Sequence, residues 1–197
     1  FATITRTGSL DAALEGIKAA LAAGFDPVKI NTVALAGIND DEIADLAALT
    51  LKYPLHVRFI EVMPLGADMA WAKNHTLSLA EVKAKVESAG RLAPATVTGA
   101  GPAQVFCYAT GVGTVGFIGA LSHGFCHRCN RLRLTADGRL KPCLASDKEI
   151  DVKQVLRRGA DEKELKALFS RALALKPSHH KLQQHEEHER IMCQIGG

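Results

Sequence analysis

The chain has 197 residues, with 24 Lys and Arg against 21 Asp and Glu for a formal net charge of +3, 47% hydrophobic residues and 5% aromatics. That length and apolar content can bury one large core or two small ones, which excludes disorder as the general state. So small a positive surplus excludes bulk attraction to nucleic acid, and the lack of any apolar run of about 18 residues or of a signal-peptide pattern predicts a cytoplasmic chain without membrane contact.

Residue 1 is Phe, and helical periodicity begins within ten residues, so the chain is expected to lack the first part of its domain. Leu10, Leu14, Ile17 and Leu21 recur at helical spacing between Ser9, a natural N-cap, and Gly24, which predicts a helix over 9–23. The β-branched run 27–35 reads as a strand. Gly37-Ile38-Asn39 then leads into a helix with Asn39 as its cap and Glu42 three residues on. Ile43, Leu46 and Leu49 or Thr50 form that helix's apolar face, Pro54 ends it, and 55–62 reads as another strand. Alternation of helix and strand predicts the α/β class, with a parallel sheet or part of a βα barrel.

The pattern changes across 64–74, which holds turn formers and the only Trp, so the chain is expected to divide into 1–66 and 67–197. The second part reads as α+β. Ser78 and Glu81 form a capping box that opens a helix over 78–89, closed by Gly90. Apolar runs at 104–108 and 113–118, separated by Thr110-Gly111, predict a hairpin or meander. Helices are expected at about 151–158 and 161–175, with Pro177 ending the second. The tail 178–197 holds His179, His180, His185 and His188 among glutamates and reads as a polar surface segment.

Five cysteines, Cys107, Cys126, Cys129, Cys143 and Cys193, argue against a disulfide framework, because the number is odd and no secretory signal accompanies them. Cys126-His127-Arg128-Cys129 is followed by thirteen residues and then Cys143, which is a metal-ligand spacing. Asp137-Gly138 between two strand-like runs signals a two-residue hairpin that folds Cys143 back toward the CxxC pair. Spacing alone allows a zinc site, with His123 or His127 as fourth ligand, or an iron–sulfur site with one iron left open to a ligand. Arg131 and Arg133 stand at i, i+2, so in a strand they share one face, and two planar guanidinium forks beside a metal suit phosphate. A two-residue turn, however, pairs Leu132 with Cys143 and turns both arginines away from that sulfur unless Pro142 introduces a bulge.

The run Phe125-Cys-His-Arg-Cys-Asn-Arg-Leu-Arg-Leu-Thr-Ala-Asp-Gly-Arg-Leu-Lys-Pro-Cys-Leu144 resembles the C-terminal cluster motif of the GTP 3',8-cyclases, radical S-adenosylmethionine enzymes of molybdenum cofactor biosynthesis. The likeness extends through Ile4-Thr-Arg6, Pro27-Val-Lys-Ile-Asn31, Gly37-Ile-Asn-Asp40, Val57-Arg-Phe-Ile-Glu61, Gly116-Phe-Ile118, Lys176-Pro177 and Ile195-Gly-Gly197. It implies an incomplete, TIM-like βα barrel whose last portion is 1–66, and a C-terminal domain over 67–197. It implies conversion of GTP to 3',8-cyclo-7,8-dihydro-GTP by two [4Fe-4S] clusters and S-adenosylmethionine, the radical taking hydrogen from the ribose C3' so that this carbon attacks guanine C8.

By the same resemblance, Cys126, Cys129 and Cys143 hold the second cluster, whose open iron meets the guanine. Lys29, Arg131 and Arg133 match GTP-contacting residues, Met63 matches a residue beside S-adenosylmethionine, and Arg58 matches a strand residue near the active site. Gly196 and Gly197 match a double-glycine tail that enters that site. The resemblance also permits a homodimer and implies that cyclic pyranopterin monophosphate synthase acts next. No cysteines here are spaced CxxxCxxC for the first cluster, so the isolated chain is expected not to cyclise GTP. The alternative reading is a zinc-binding interaction or RNA-binding module, in which the cysteines stabilise the hairpin and the arginines touch phosphate backbone.

Overall fold

The computed structural model describes residues 1–64, 69–99, 101–180 and 194. The chain runs through α1 (Ala2–Thr5), α2 (Leu10–Ala22), β1 (Val28–Ala34), α3 (Ile43–Lys52), β2 (Leu55–Glu61), α4 (Met69–Asn74), α5 (Leu79–Glu87) and β3 (Leu92–Pro94). It continues through β4 (Gln104–Tyr108), β5 (Thr114–Ile118), a 3-10 turn at Cys126–Arg128, β6 (Arg133–Leu134), β7 (Arg139–Lys141), β8 (Ile150–Asp151), α6 (Val152–Arg157) and α7 (Glu162–Ala174). Two compact units result, one of Phe1–Glu61 and Leu77–Ile118, the other of Val62–Thr76 and Gly119–Gly197. No helix among the described residues is long and apolar enough to cross a membrane.

The first unit is built on a mixed sheet in the order β1-β2-β5-β4-β3. β1, β2 and β5 run parallel, while β4 and β3 continue the sheet antiparallel. The hairpin expected at 104–118 is therefore present as β4 and β5, and β5 also joins the β1–α3–β2 crossover through its pairing with β2. Alternation along β2 sorts its residues onto two faces. Leu55, Val57 and Phe59 enter the core with Val115 and Phe117, together with Ile43 and Ala47 of α3 and Val82 and Val86 of α5. The Phe59 ring stacks on Phe117 at 6.3 Å, and Phe106 meets Phe117 edge-on at 5.7 Å. His56 and Arg58 belong to the opposite face of β2.

Local signals placed most helix starts. Ser9 accepts from the Ala12 N–H at 3.3 Å, the Ser78–Glu81 box is complete, and Asp151 and Asp161 accept from Gln154 and Glu164 at 2.9 and 2.8 Å. The expected cap Asn39 is a correction. α3 opens at Ile43 after Glu42, without a side-chain cap bond. The Asn39 amide instead donates to the Val33 carbonyl at 3.0 Å, and its oxygen accepts from the Leu35 N–H at 2.8 Å. With Gly37 at φ +69°, the chain folds back over the end of β1, and this local bonding competes with a helix cap. The apolar stripe of α2 also differs from expectation, since Leu10 remains 49% and Leu14 40% exposed while Ile17 and Leu21 are partly buried against the core.

Gly113 fits where no side chain can. Its N–H donates to the Thr50 carbonyl at 2.8 Å, and an added Cβ would collide with the Leu55 carbonyl and come within 2.7 Å of the Tyr53 carbonyl. Both obstacles are backbone and cannot swing aside. Gly113→Ala is expected to destabilise the chain by about 1–3 kcal/mol, read as a lower urea midpoint. An unchanged midpoint would contradict the close approach.

The second unit holds the sheet β6-β7-β8 over a small core of Leu140, Ile150, Val152 and Ala172, with Leu132, Leu168 and Leu175 partly buried against it. The hairpin register corrects the two-residue turn. Arg133 lies opposite Lys141 and Leu134 opposite Leu140, leaving a three-residue connection of Ala136, Asp137 and Gly138. Gly138 takes φ +86°, and the Thr135 hydroxyl oxygen accepts from the Arg139 N–H at 2.9 Å, so the turn closes one residue earlier on the second arm. A shift of one residue inverts which side chains share a face. Continued outward, the observed register sets Arg131, rather than Leu132, level with Cys143.

Candidate functional site

In the first unit, β1 and β2 set Lys29 beside His56 and Asn31 beside Arg58 in register, so all four share one face of the sheet. Lys29, His56 and Arg58 line a cleft of about 230 Å³, closed on one side by the Ala95–Gly99 stretch, Gly101 and Ala103. Among the described residues, no acidic side chain lines it. The Arg58 Nε donates to the Asn31 Oδ1 at 2.7 Å. Gly116 lies opposite Arg58 on β5, and a Cβ there would come within 3.0 Å of His56 and 3.1 Å of Arg58. A glycine at this position gives both side chains their room.

His56 is only 4% exposed, and its Nδ1 lies 2.8 Å from the Thr114 hydroxyl. Burial, followed by the positive charges of Arg58 and Lys29, pushes its pKa down to about 4 against an opposing hydrogen bond to the Thr114 backbone. Burial also lowers the Arg58 pKa. The imidazole is thus neutral at pH 7, and the two cations carry the charge of the cleft.

This shift has a consequence for stability. His56 takes up a proton near pH 6.5 when unfolded but only near pH 4 when folded, so the unfolded chain binds more protons between those values. Its contribution to stability is present above about pH 6.5 and is lost as pH falls toward 4. His56→Gln is expected to flatten the dependence of the urea midpoint on pH across this window. An equally steep dependence in the variant would remove His56 as its source.

In the second unit, the Cys129 N–H donates to the Cys126 carbonyl at 3.1 Å across the 3-10 turn, so one tight turn carries both thiols of the CxxC pair. The Arg131 guanidinium lies 4.9 Å from the centre of the Phe125 ring. Burial raises the Cys129 thiol pKa as the largest single influence. Hydrogen bonds from the Arg131 backbone and side chain, with the charges of Lys176 and Arg131, outweigh it and leave the thiol below its ordinary value. β6 begins at Arg133, so Arg131 precedes the strand, and Arg133 sits across from Lys141. Lys141, 2% exposed, is neutralised by Glu149 at 3.5 Å.

The donor chemistry of this segment fits a soft metal or an iron–sulfur cluster, since Cys126, Cys129 and Cys143 are free and partly accessible thiols. Their geometry is not that of a closed site. Among the described residues no three His, Cys, Asp or Glu side chains stand together as a group able to hold a metal ion. Met63 lies two residues beyond β2 and is half-buried. Gly196 and Gly197, like His185 and His188, lie outside the described residues.

Sequence reasoning named Lys29 and Arg58 but missed Asn31, His56 and Thr114. The alternation that gave the strands also set Lys29 with Asn31 and His56 with Arg58 on common faces, and that signal could have found them. Lys176, beside the cysteine segment, entered the sequence reading only as part of the Lys176-Pro177 likeness, with no role attached.

The profile of the Molybdenum Cofactor Synthesis C family matches residues 55–182. The chain is 49% identical over 199 aligned residues to the GTP 3',8-cyclase of Pelotomaculum thermopropionicum, covering 100% of this chain and 61% of that protein. It is 47% identical to the GTP 3',8-cyclase of Heliobacterium modesticaldum, covering 100% and 62%, and 49% identical to that of Moorella thermoacetica, covering 98% and 60%. The chain thus spans about three-fifths of the length of these curated relatives. These similarities agree with the likeness read from the cysteine motif, and the match over 55–182 shows that the chain belongs to the Molybdenum Cofactor Synthesis C family.

Proposed function

We propose that this chain forms part of a GTP 3',8-cyclase of molybdenum cofactor biosynthesis, holding the anionic part of GTP on β1 and β2 and a [4Fe-4S] cluster on the cysteine segment. The observation that carries the reading is the acid-free cleft on which Lys29, His56 and Arg58 converge, a setting for phosphate oxygens. The names of the relatives supply the nucleotide. Residues 1–66 are then the last portion of an incomplete βα barrel and 67–197 the C-terminal domain, with the β4–β5 hairpin extending the barrel's sheet.

Each residue has a definite task in this reading. The Lys29 ammonium neutralises phosphate charge. Asn31 occupies the Arg58 Nε and leaves the terminal N–H groups of the guanidinium for a second acceptor. Neutral His56 contributes a hydrogen bond without adding to the repulsion between the two cations. Arg131 and Arg133 bring guanidinium groups to the cysteine segment. Cys126, Cys129 and Cys143 would bind the cluster as thiolates, and a cluster so held supplies an iron open to a nitrogen or oxygen donor of the purine.

Met63 would lie against S-adenosylmethionine, Gly196 and Gly197 would enter the active site, and the product would pass to cyclic pyranopterin monophosphate synthase. The enzyme would work in the cytoplasm and could pair as a homodimer. With no CxxxCxxC set among its cysteines, the isolated chain binds GTP without cyclising it.

Anaerobic reconstitution with iron and sulfide, followed by metal analysis and EPR with and without GTP, tests this. About four irons per chain and a spectrum perturbed by GTP are expected, with no cyclised product when S-adenosylmethionine and reductant are added. Stoichiometric zinc, no iron and no response to GTP would replace the cluster by a structural metal. Cyclised product from this chain alone would overturn its expected inactivity.

A further inference from the structure

α7 ends at Ala174 with Leu175 as its C-cap, and Pro177 prevents the helix from continuing. Lys176 sits between them, its N–H bonded to the Leu173 carbonyl at 3.1 Å, so its side chain leaves the helix at the negative end of the helix dipole. Its ammonium donates to the Arg131 carbonyl at 2.7 Å and to the Pro142 carbonyl at 2.9 Å. Arg131 follows Cys129 by two residues, and Pro142 immediately precedes Cys143.

The ladder between β6 and β7 extends only as far as Arg133 and Lys141. Beyond it one ammonium spans both arms of the cysteine hairpin through charge-assisted bonds to backbone carbonyls. Such bonds are stronger than neutral ones. A backbone carbonyl held on each arm leaves little freedom in the distance between Cys129 and Cys143.

We propose that Lys176 is a positioning residue for the three-cysteine site. It latches the CxxC arm to the Cys143 arm and so presets the approach of the thiolates to a metal or cluster. The latch is a property of the metal-free chain, while its purpose rests on the metal reading above. The two are therefore tested separately.

The first readout needs no metal. Under anaerobic, metal-free conditions the full chain is treated with dibromobimane, which bridges nearby thiols, and the products are mapped by mass spectrometry. In Lys176→Met the Cys129–Cys143 bridge is expected to form at least about fivefold more slowly, because the effective concentration of one thiol at the other falls when the arms separate. Lys176→Arg, which keeps two donors on a cation, is expected to restore most of the rate. The Cys126–Cys129 bridge lies within one turn and shares the Cys129 thiolate that the Lys176 charge favours, so the Cys129–Cys143 rate is read relative to it, which separates loss of the latch from loss of the fold or of thiolate character. Equal Cys129–Cys143 rates in the unmodified and Met chains, or no such bridge in the unmodified chain, overturn the latch.

The second readout is cobalt(II) titration followed by thiolate-to-metal charge-transfer absorption. A weaker band per bound cobalt in Lys176→Met, recovered in Lys176→Arg, supports the positioning role. Bridging that depends on Lys176 in a chain that takes up neither cobalt nor iron supports the latch and overturns its assignment to a metal site.

Discussion

Cys129→Ala is expected to abolish iron–sulfide uptake by this chain, and Cys126→Ala and Cys143→Ala to do the same, each weakening retention by more than about 100-fold. Cys126 and Cys129 are joined through one 3-10 turn, so a metal bound by one thiolate meets the other at little entropic cost. Cys143 arrives from the far arm of the hairpin, where Lys176 donates to the Pro142 carbonyl. Cys129 has a second advantage, because the Arg131 bonds and the Lys176 charge favour its thiolate against burial. Cys107 on β4 is the control, since it is also a half-buried free thiol but belongs to the other unit. Iron and sulfide analysis after anaerobic reconstitution decides the matter. Uptake undiminished in any of the three variants would remove that cysteine from the ligand set, and loss of uptake in Cys107→Ala would show that the measurement reports folding.

Arg58→Ala should weaken GTP binding by about 10- to 100-fold, the effect of losing one charge-assisted hydrogen bond worth about 1.5–3 kcal/mol. Lys29→Ala should weaken it comparably. Arg58→Lys is not expected to recover the loss, because a single ammonium cannot both engage the Asn31 oxygen, as Nε now does at 2.7 Å, and present a planar pair of donors to phosphate. Asn31→Ala should have a smaller effect, since the guanidinium keeps its charge and loses only its anchor. Anaerobic calorimetry at fixed salt measures these affinities, and guanosine titrated alongside GTP identifies the phosphate contribution. Variants with unchanged affinity would show that the cleft does not hold the phosphates.

Much of the local architecture follows from neighbours in sequence. The caps at Ser9, Ser78, Asp151 and Asp161 each bond within three residues, so the side chain that announces the helix also closes its first turn. The CxxC turn and the location of the hairpin are local in the same sense, and periodicity placed β1, β2, β4 and β5. Failures arose where two local signals competed. Asn39 had a helix start and a strand end within reach and bonded to the strand end. At Asp137-Gly138 the turn residues were right, but the Thr135 hydroxyl and the positive φ of Gly138 selected a three-residue connection and moved the register by one.

What the sequence by itself determined, then, is the longer elements, their mixed α/β class and the residue types and spacing of the cysteine segment, though not α1, α4, β3 or β8. Those depend on side-chain period, turn residues and ligand types that act over a few positions. Tertiary structure alone decided that β5 pairs with β2, that His56 and Arg58 meet Lys29 and Asn31 around one cleft, and that Lys176 reaches the Arg131 carbonyl. Lys176 and Arg131 stand 45 residues apart, and His56 and Thr114 stand 58 apart. Contacts of that kind form only after the apolar faces have packed and excluded water, because burial both brings such groups together and makes an unpartnered polar atom costly.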